Sequence, residues 1–248
     1  MKILVTGAQG FVGKNLIAEL KKLGYIHIYE YDLNTDKALL DTCTRDCDFV
    51  FHLAGVNRPR EESEFDTGNR EFTAELLEYL QQHNNTCPIV YSSSIQAERD
   101  NPYGISKKAA EDVLIVHAQT AGAKVMIYRL LNLFGKWCRP NYNSVVATFC
   151  HNIARGLDII INDPNAEMTL CYIDDVVNEF INALEGNETR DGQFCYVAQT
   201  HKARLGELAD KLYDFKSCLE SNLKPLLETE FDRALYSTYI SYLPEKDT

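Results

Sequence analysis

Apolar residues follow two alternating rhythms along the chain. Short apolar runs at Ile3–Thr6, Phe49–Gly55, Cys87–Ser92 and Val125–Tyr128 have the length and the β-branched or aromatic content of buried strands. Between them, apolar residues recur three and four apart. Leu16, Ile17 and Leu20 do so, as do Phe72, Leu76, Leu77 and Leu80, and Ala109, Ala110, Val113 and Leu114. That is the period of a helix with one buried face. Ile26–Tyr31 adds a further strand, and Gly24 and Gly122 stand where helices stop. Strands without polar alternation, separated by amphipathic helices, predict a doubly wound α/β fold: a parallel sheet covered by helices on both faces. Past residue 130 the pattern loosens. Ile159–Ile161, Met168–Tyr172 and Gln193–Ala198 read as short strands. Helices are marked by Val145, Val146, Phe149 and Ile153, by Val176, Val177, Phe180, Ile181 and Leu184 behind Asp174–Asp175, and by Leu205, Leu208, Leu212 and Phe215. The aromatic stretch Leu235–Pro244 does not read as a free end. A single domain over residues 1–248 is expected, with a core from about 1–135 plus 168–200 and a small substrate lobe from about 136–167 and 201–248.

Composition narrows the function. The 248 residues are 45% hydrophobic, enough for a sizeable core, and carry a formal net charge of −11. That acidity argues against a nucleic-acid or anionic-membrane partner. No apolar run approaches the roughly 20 residues of a membrane span, and Met1 leads directly into a strand with no signal-peptide pattern. The eight cysteines are scattered without a Cys-x-x-Cys pair, which fits reduced thiols and a cytoplasmic location. The six histidines are equally dispersed, and no metal site is assigned.

Chemistry enters at the first turn. Gly7-Ala8-Gln9-Gly10-Phe11-Val12-Gly13 follows a strand and opens a helix, the setting of a dinucleotide-binding, Rossmann-type turn. Gly7 permits the tight turn, Gly10 lets backbone approach a pyrophosphate, and Gly13 lets helix and strand pack closely. Asp32 ends the next strand about 20 residues on, where an acid accepts the ribose hydroxyls and repels a 2′-phosphate; a solvated turn aspartate is the alternative. Ala54 and Gly55, after the strand holding His52, would let a cofactor lie against backbone, while His52 itself reads as a packed core histidine. The polar loop 57–68, with Asn57 and Arg58, lies past the strand's carboxyl end and reads as either substrate-facing or simply solvated. Ser94 ends a strand just before Asn101, a plausible N-cap, and Pro102, suited to the first helical position. Tyr103 and Lys107 then lie one turn apart on one helix face, where an ammonium lowers a phenol's pKa from about 10 and readies it for proton transfer at a carbonyl oxygen.

Together these motifs resemble the extended short-chain dehydrogenase/reductase (epimerase/dehydratase) family. They are Thr6-Gly7-x-x-Gly10-x-x-Gly13, His52-Leu53-Ala54-Gly55, Ser92-Ser93-Ser94, Tyr103-x-x-x-Lys107, Arg129-x-x-Asn132-x-Phe134-Gly135 and Tyr172-x-Asp174-Asp175, in the family's order. Within it, Gly55-Val56-Asn57-Arg58-Pro59, Asn132-Leu133-Phe134-Gly135-Lys136-Trp137-Cys138 and Leu235-Tyr236-Ser237-Thr238-Tyr239 resemble capsule-synthesis UDP-sugar 4-keto reductases of the CapF type. The resemblance implies a catalytic Ser94, Tyr103 and Lys107. It implies cofactor contacts from Gly7, Gln9, Gly10, Phe11, Val12, Asp32, Leu53, Ala54, Gly55, Tyr103, Lys107 and Arg129, and substrate contacts from Asn57, Arg58, Ser94, Asn132, Lys136 and Arg139. The implied cofactor is NAD(H) or NADP(H): such enzymes use NADPH, whereas Asp32 favours NAD. The implied substrate is a UDP-2-acetamido-2,6-dideoxy-hexos-4-ulose, and the implied assembly a homodimer through the helices around Phe72–Leu80 and Ala109–Leu114. Such enzymes also continue into a cupin domain, before which this chain ends. Ile95-Gln96 stands where dehydratases place Asp-Glu, which argues against dehydration. A 4-epimerase with tightly bound NAD is the alternative, and a non-catalytic dinucleotide-binding sensor a more distant one.

Overall fold

A computed structural model describes residues 1–244. In chain order its elements are β1 (Lys2–Thr6), α1 (Phe11–Lys22), β2 (His27–Tyr31), α2 (Lys37–Asp46), β3 (Phe49–His52), α3 (Ser63–Phe65), a π-helical turn (Asp66–Glu71), α4 (Phe72–Gln82), β4 (Ile89–Ser94), a 3₁₀ turn (Ile95–Glu98), α5 (Pro102–Ala121), β5 (Val125–Leu130), β6 (Asn132–Phe134), α6 (Val145–Ala154), β7 (Glu167–Tyr172), α7 (Ile173–Leu184), β8 (Arg190–Asp191), β9 (Phe194–Cys195), β10 (His201–Arg204), α8 (Leu205–Glu220) and α9 (Glu230–Ile240). They form two compact units, one of Met1–Leu130 with Val177–Ala198, the other of Leu131–Val176 with the chain from Gln199 onward.

The first unit is built on a sheet of order β2-β1-β3-β4-β5-β9-β8. Its pairings are parallel except for the β8–β9 edge. The chain runs outward from β1 to β2, then returns to the other side of β1 for β3. That reversal is the switch point at which open α/β sheets bind ligands, at the strands' carboxyl ends. Leu4, Val50, Ile89 and Tyr91 are fully buried and pack with Leu76 and Leu80 of α4 and Ala110 and Leu114 of α5. On the opposite face Phe51 stacks with Phe180 of α7, ring centroids 5.9 Å apart. The start of α5 follows its local chemistry: the Gly104 N–H donates to the Asn101 side chain at 2.9 Å, Pro102 occupies the first turn, and Gly122 ends the helix at φ +71°.

The second unit has a three-stranded sheet, β10-β7-β6. Its core joins Phe134, Leu170, Phe149 and Ile153 to Leu212 and Phe215 of α8 and Leu235 and Tyr239 of α9. The aromatic tail is therefore a packed helix, held at its start by a reciprocal Thr229–Asp232 cap.

Three expectations need correction, and one helix is added. Ile159–Ile161 forms no strand, and Ile160 is 83% exposed: without a neighbouring strand its β-branched residues cannot form a ladder. The run 193–198 pairs only at Phe194–Cys195. The apolar pattern marks no helix after Asp32, but Asp36 accepts from the Ala38 N–H and starts α2. The loop 57–68 turns helical from Ser63, passing into the π turn. All eight cysteines are free thiols.

Candidate active site

The glycine turn is fixed by backbone crowding. Gly7 has φ +69°, and a Cβ there would lie 2.7 Å from the Ala54 nitrogen; one on Gly13 would lie 2.3 Å from the Gly7 oxygen. No side chain fits at either position, so β1, α1 and the end of β3 meet backbone to backbone. The Gly10 N–H closes the turn on the Gly7 carbonyl at 2.9 Å. No side chain caps α1, which leaves the N–H groups of Phe11 and Val12 without a side-chain acceptor at the positive end of the helix dipole. Asp32 is drawn into this turn: its carboxylate accepts from the Gln9 N–H at 2.7 Å and the Leu33 N–H at 2.8 Å. These features fit a dinucleotide: amide donors for a diphosphate, an acid beside them for a ribose, and glycines where side chains would obstruct both.

From the end of β3, the Leu53 N–H donates to the Thr6 carbonyl at 3.2 Å and the Ala54 N–H to the Thr6 hydroxyl at 3.3 Å. Gly55 faces α5. A Cβ on it would lie 2.8 Å from Asn69 Oδ1 and 3.5 Å from Lys107 Nζ. Lys107 is 3% exposed; its ammonium donates to the Ser92 carbonyl at 2.7 Å and sits 4.3 Å over the Tyr91 ring. Burial lowers its pKa to about 7, with the Glu111 carboxylate acting in the opposite direction. Tyr103 is partly buried, with its ring 5.7 Å from that of Phe65.

Helical spacing predicts that Lys107 holds the Tyr103 phenol below its ordinary pKa. The structure differs: burial dominates and raises it, and the Ser94 hydrogen bond works against that rise. Ser94 Oγ also accepts the Gln96 N–H at 3.2 Å, so the 3₁₀ turn fixes the side chain that meets the phenol. Ser94, Tyr103, Lys107 and Gly55 thus lie along the carboxyl ends of β3 and β4 in the first unit.

Arg129, expected as a cofactor contact, pairs with two carboxylates. Its Nε and Nη2 bind Glu111 at 3.0 and 2.7 Å, its Nη1 binds Glu98 at 2.7 Å, and the guanidinium lies 3.8 Å over the Phe194 ring. Glu111, fully buried, also accepts the Ser93 hydroxyl. A buried carboxylate needs such a partner, so Arg129 serves to satisfy Glu111 beneath α5. No sequence pattern marks Glu111, although it stands one helical turn beyond Lys107. Nor does one mark Asn69. It is 1% exposed, and its amide binds both the N–H and the carbonyl of Val56 at 2.9 Å and the Ser106 hydroxyl at 2.9 Å.

Asn57 and Arg58 are exposed on the loop after Gly55. Asn132, Lys136 and Arg139 belong to the second unit: Asn132 donates to the Thr169 carbonyl at 3.2 Å, Lys136 lies 5.2 Å over Trp137, and Arg139 lies 5.1 Å over Tyr142. That unit also holds a cleft of about 420 Å³ between Tyr172, Asp175, Gln199, His201, Glu230 and Arg233, none of which the sequence marks as a site residue.

The chain is similar to known proteins over nearly its whole length. The chain is 48% identical over 245 residues to the UDP-2-acetamido-2,6-beta-L-arabino-hexul-4-ose reductase of Pseudomonas aeruginosa, across 99% of this chain and 66% of that protein. The crystal structure of the capsular polysaccharide assembling protein CapF from Staphylococcus aureus matches with a TM-score of 0.90 at 47% identity, over 98% of this chain and 66% of that one. The chain therefore spans just under two thirds of the length of these relatives. A UDP-glucose 4-epimerase of Thermotoga maritima, at 20% identity, shares the fold with a TM-score of 0.81 over 98% of both chains. Residues 3–197 match the model of the NAD dependent epimerase/dehydratase family. The chain belongs to the NAD dependent epimerase/dehydratase family.

Proposed function

We propose that this chain reduces the 4-keto group of a UDP-2-acetamido-2,6-dideoxy-hexos-4-ulose with a nicotinamide cofactor, as a step of surface-polysaccharide synthesis. The observation that carries this reading is the 48% identity, over 99% of the chain, to a reductase of that sugar class. The bound cofactor supplies the hydride. Amides of the Gly7–Val12 turn hold its diphosphate, Asp32 its adenosine ribose, and Leu53, Ala54 and Gly55 the backbone surface beneath it. Lys107 holds the nicotinamide ribose and keeps positive charge near the reacting oxygen. Ser94 hydrogen-bonds the keto oxygen, and Tyr103 delivers the proton that this oxygen takes up. Asn57 and Arg58, on the loop after Gly55, contact the UDP-sugar.

The test is spectrophotometric oxidation of NADH and NADPH with this UDP-4-keto sugar. Stoichiometric NADH consumption supports the reading; tightly retained cofactor with no net consumption points instead to a 4-epimerase. Asp32 sets the preference, because its carboxylate repels a 2′-phosphate. Asp32→Ala is expected to raise NADPH use relative to NADH by about tenfold or more; an unchanged ratio removes Asp32 from that role.

The assembly proposed is a cytoplasmic homodimer through α4 and α5. On α5, Ile105 and Val116 are 55% and 56% exposed and eleven residues apart, hence on one face. A monomeric mass by light scattering would refute it.

A further inference from the structure

A line of buried hydrogen bonds crosses the first unit beneath the glycine turn. His52 is fully buried at the end of β3, its ring stacked 5.3 Å from that of Tyr91. Its Nδ1 lies 2.8 Å from the Thr6 hydroxyl and its Nε2 lies 2.8 Å from the Thr73 hydroxyl. The Thr73 hydroxyl is 2.6 Å from the Asn69 carbonyl. A carbonyl has no proton to give, so Thr73 spends its own proton there and must accept from His52. Nε2 therefore carries the ring proton. In a neutral imidazole Nδ1 then accepts, and only the Thr6 hydroxyl can donate to it. With that proton committed, Thr6 presents a lone pair to the Ala54 N–H, which lies 3.3 Å away. The 2.6 Å bond to the Asn69 carbonyl sets the direction, from Ala54 to Nδ1 at one end and from Nε2 to Asn69 at the other, with the Tyr91 hydroxyl beside Thr73 as a further neighbour. Burial, with the Lys107 charge acting in the same direction, keeps the ring neutral by lowering its pKa to about 3.

Both ends of this line reach the site. Thr6 and Ala54 flank the glycine turn. The Asn69 carbonyl belongs to the π turn, an element frequent at functional sites. From that turn the Asn69 amide grips Val56 and Ser106, the neighbour of Lys107, while its oxygen stands against Gly55. Ser106 in turn donates to the Tyr103 carbonyl at 2.8 Å.

We infer that His52 is a positioning residue: as the Nε2–H tautomer it locks the Thr73 hydroxyl on the Asn69 turn and the Thr6 hydroxyl under Ala54, and so holds Gly55, Ser106 and the helix turn carrying Tyr103 and Lys107 in register. The catalytic part of this inference rests on the reductase reading; the tautomer does not.

Two measurements test it separately. Nitrogen-15 NMR of the whole protein, with the His52 signal identified by its loss in His52→Phe, should show Nε2 protonated and Nδ1 bare throughout pH 5–8. The opposite tautomer, or a ring that takes up a proton in that range, overturns the inference whatever the activity. In the NADH assay, Thr73→Val removes one hydroxyl at constant shape. It is expected to lower kcat about tenfold or more, with KM for the sugar and Kd for NADH within about threefold, while Thr73→Ser restores kcat. Wild-type kcat in Thr73→Val, or failure of Thr73→Ser to rescue it, overturns the positioning role. Wild-type protein that consumes no NADH or NADPH with the UDP-4-keto sugar would instead sink the reductase reading itself.

Discussion

Tyr103→Phe is expected to lower kcat by about 10²–10⁴-fold, the range for losing a general acid, or roughly 3–5 kcal/mol of barrier. The substitution removes one oxygen and leaves the ring against Phe65, so folding and NADH affinity should change little. The direction of the Tyr103 pKa shift decides which role the phenol can fill. Burial raises it, so at neutral pH the group carries its proton. That is the form reduction requires, because the sugar oxygen gains a proton as C4 gains hydride. The Ser94 hydrogen bond, which favours phenolate, eases the departure of that proton. Steady-state turnover of the UDP-4-keto sugar, beside a fluorescence titration with NADH, separates the two effects. Full turnover in the variant would remove Tyr103 as the proton donor, and loss of NADH affinity in step with turnover would reassign it to cofactor binding.

What could be read from the sequence was what neighbouring residues decide among themselves. The glycine turn is such a case: Gly7, Gly10 and Gly13 sit within seven residues, and the contacts that forbid side chains there follow from the strand–turn–helix crossing. The start of α5 is another, since Asn101 and Pro102 encode it within a single turn. Features that depend on pairing across the sheet were not legible. The pairing of Arg129 is one such feature: Glu111, eighteen residues earlier, meets it only once β4, β5 and α5 are assembled. Asn69 lies in a polar stretch with no apolar period, and a π turn has no spacing rule of its own. His52 reads as a core residue and is one, but the approach of Thr6 and Thr73 to its two nitrogens depends on residues 46 and 21 positions away. Ile159–Ile161 shows the converse: β-branched residues suggest a strand, but a ladder needs a partner.

Lys107→Met is expected to abolish turnover while making the protein more stable, and to do so more strongly in acid than in base. Lys107 is 3% exposed, and burial lowers its pKa from 10.5 to about 7. Between those two values the unfolded chain binds a proton that the folded chain does not, so stability rises with pH across that window. Below pH 7 the folded protein carries the whole penalty of a buried ammonium, about 5 kcal/mol at 1.4 kcal/mol per pH unit. At pH 9 the folded side chain is neutral, and the remaining penalty is about 2 kcal/mol. Methionine has none of this penalty, although it forfeits the bond to the Ser92 carbonyl and the contact with the Tyr91 ring. Those losses are similar at both pH values and cancel in the comparison. The gain on substitution should therefore be larger at pH 6 than at pH 9 by about 3 kcal/mol, or several degrees of melting temperature. Activity moves the other way, because the ammonium is what supports charge at the reacting oxygen and holds the ribose. Thermal melts of both proteins at the two pH values, with turnover measured alongside, check the pair of expectations. Equal gains at pH 6 and pH 9 would mean that Lys107 is not a buried charge at neutral pH, and turnover retained by the methionine variant would mean that the reaction does not need that charge.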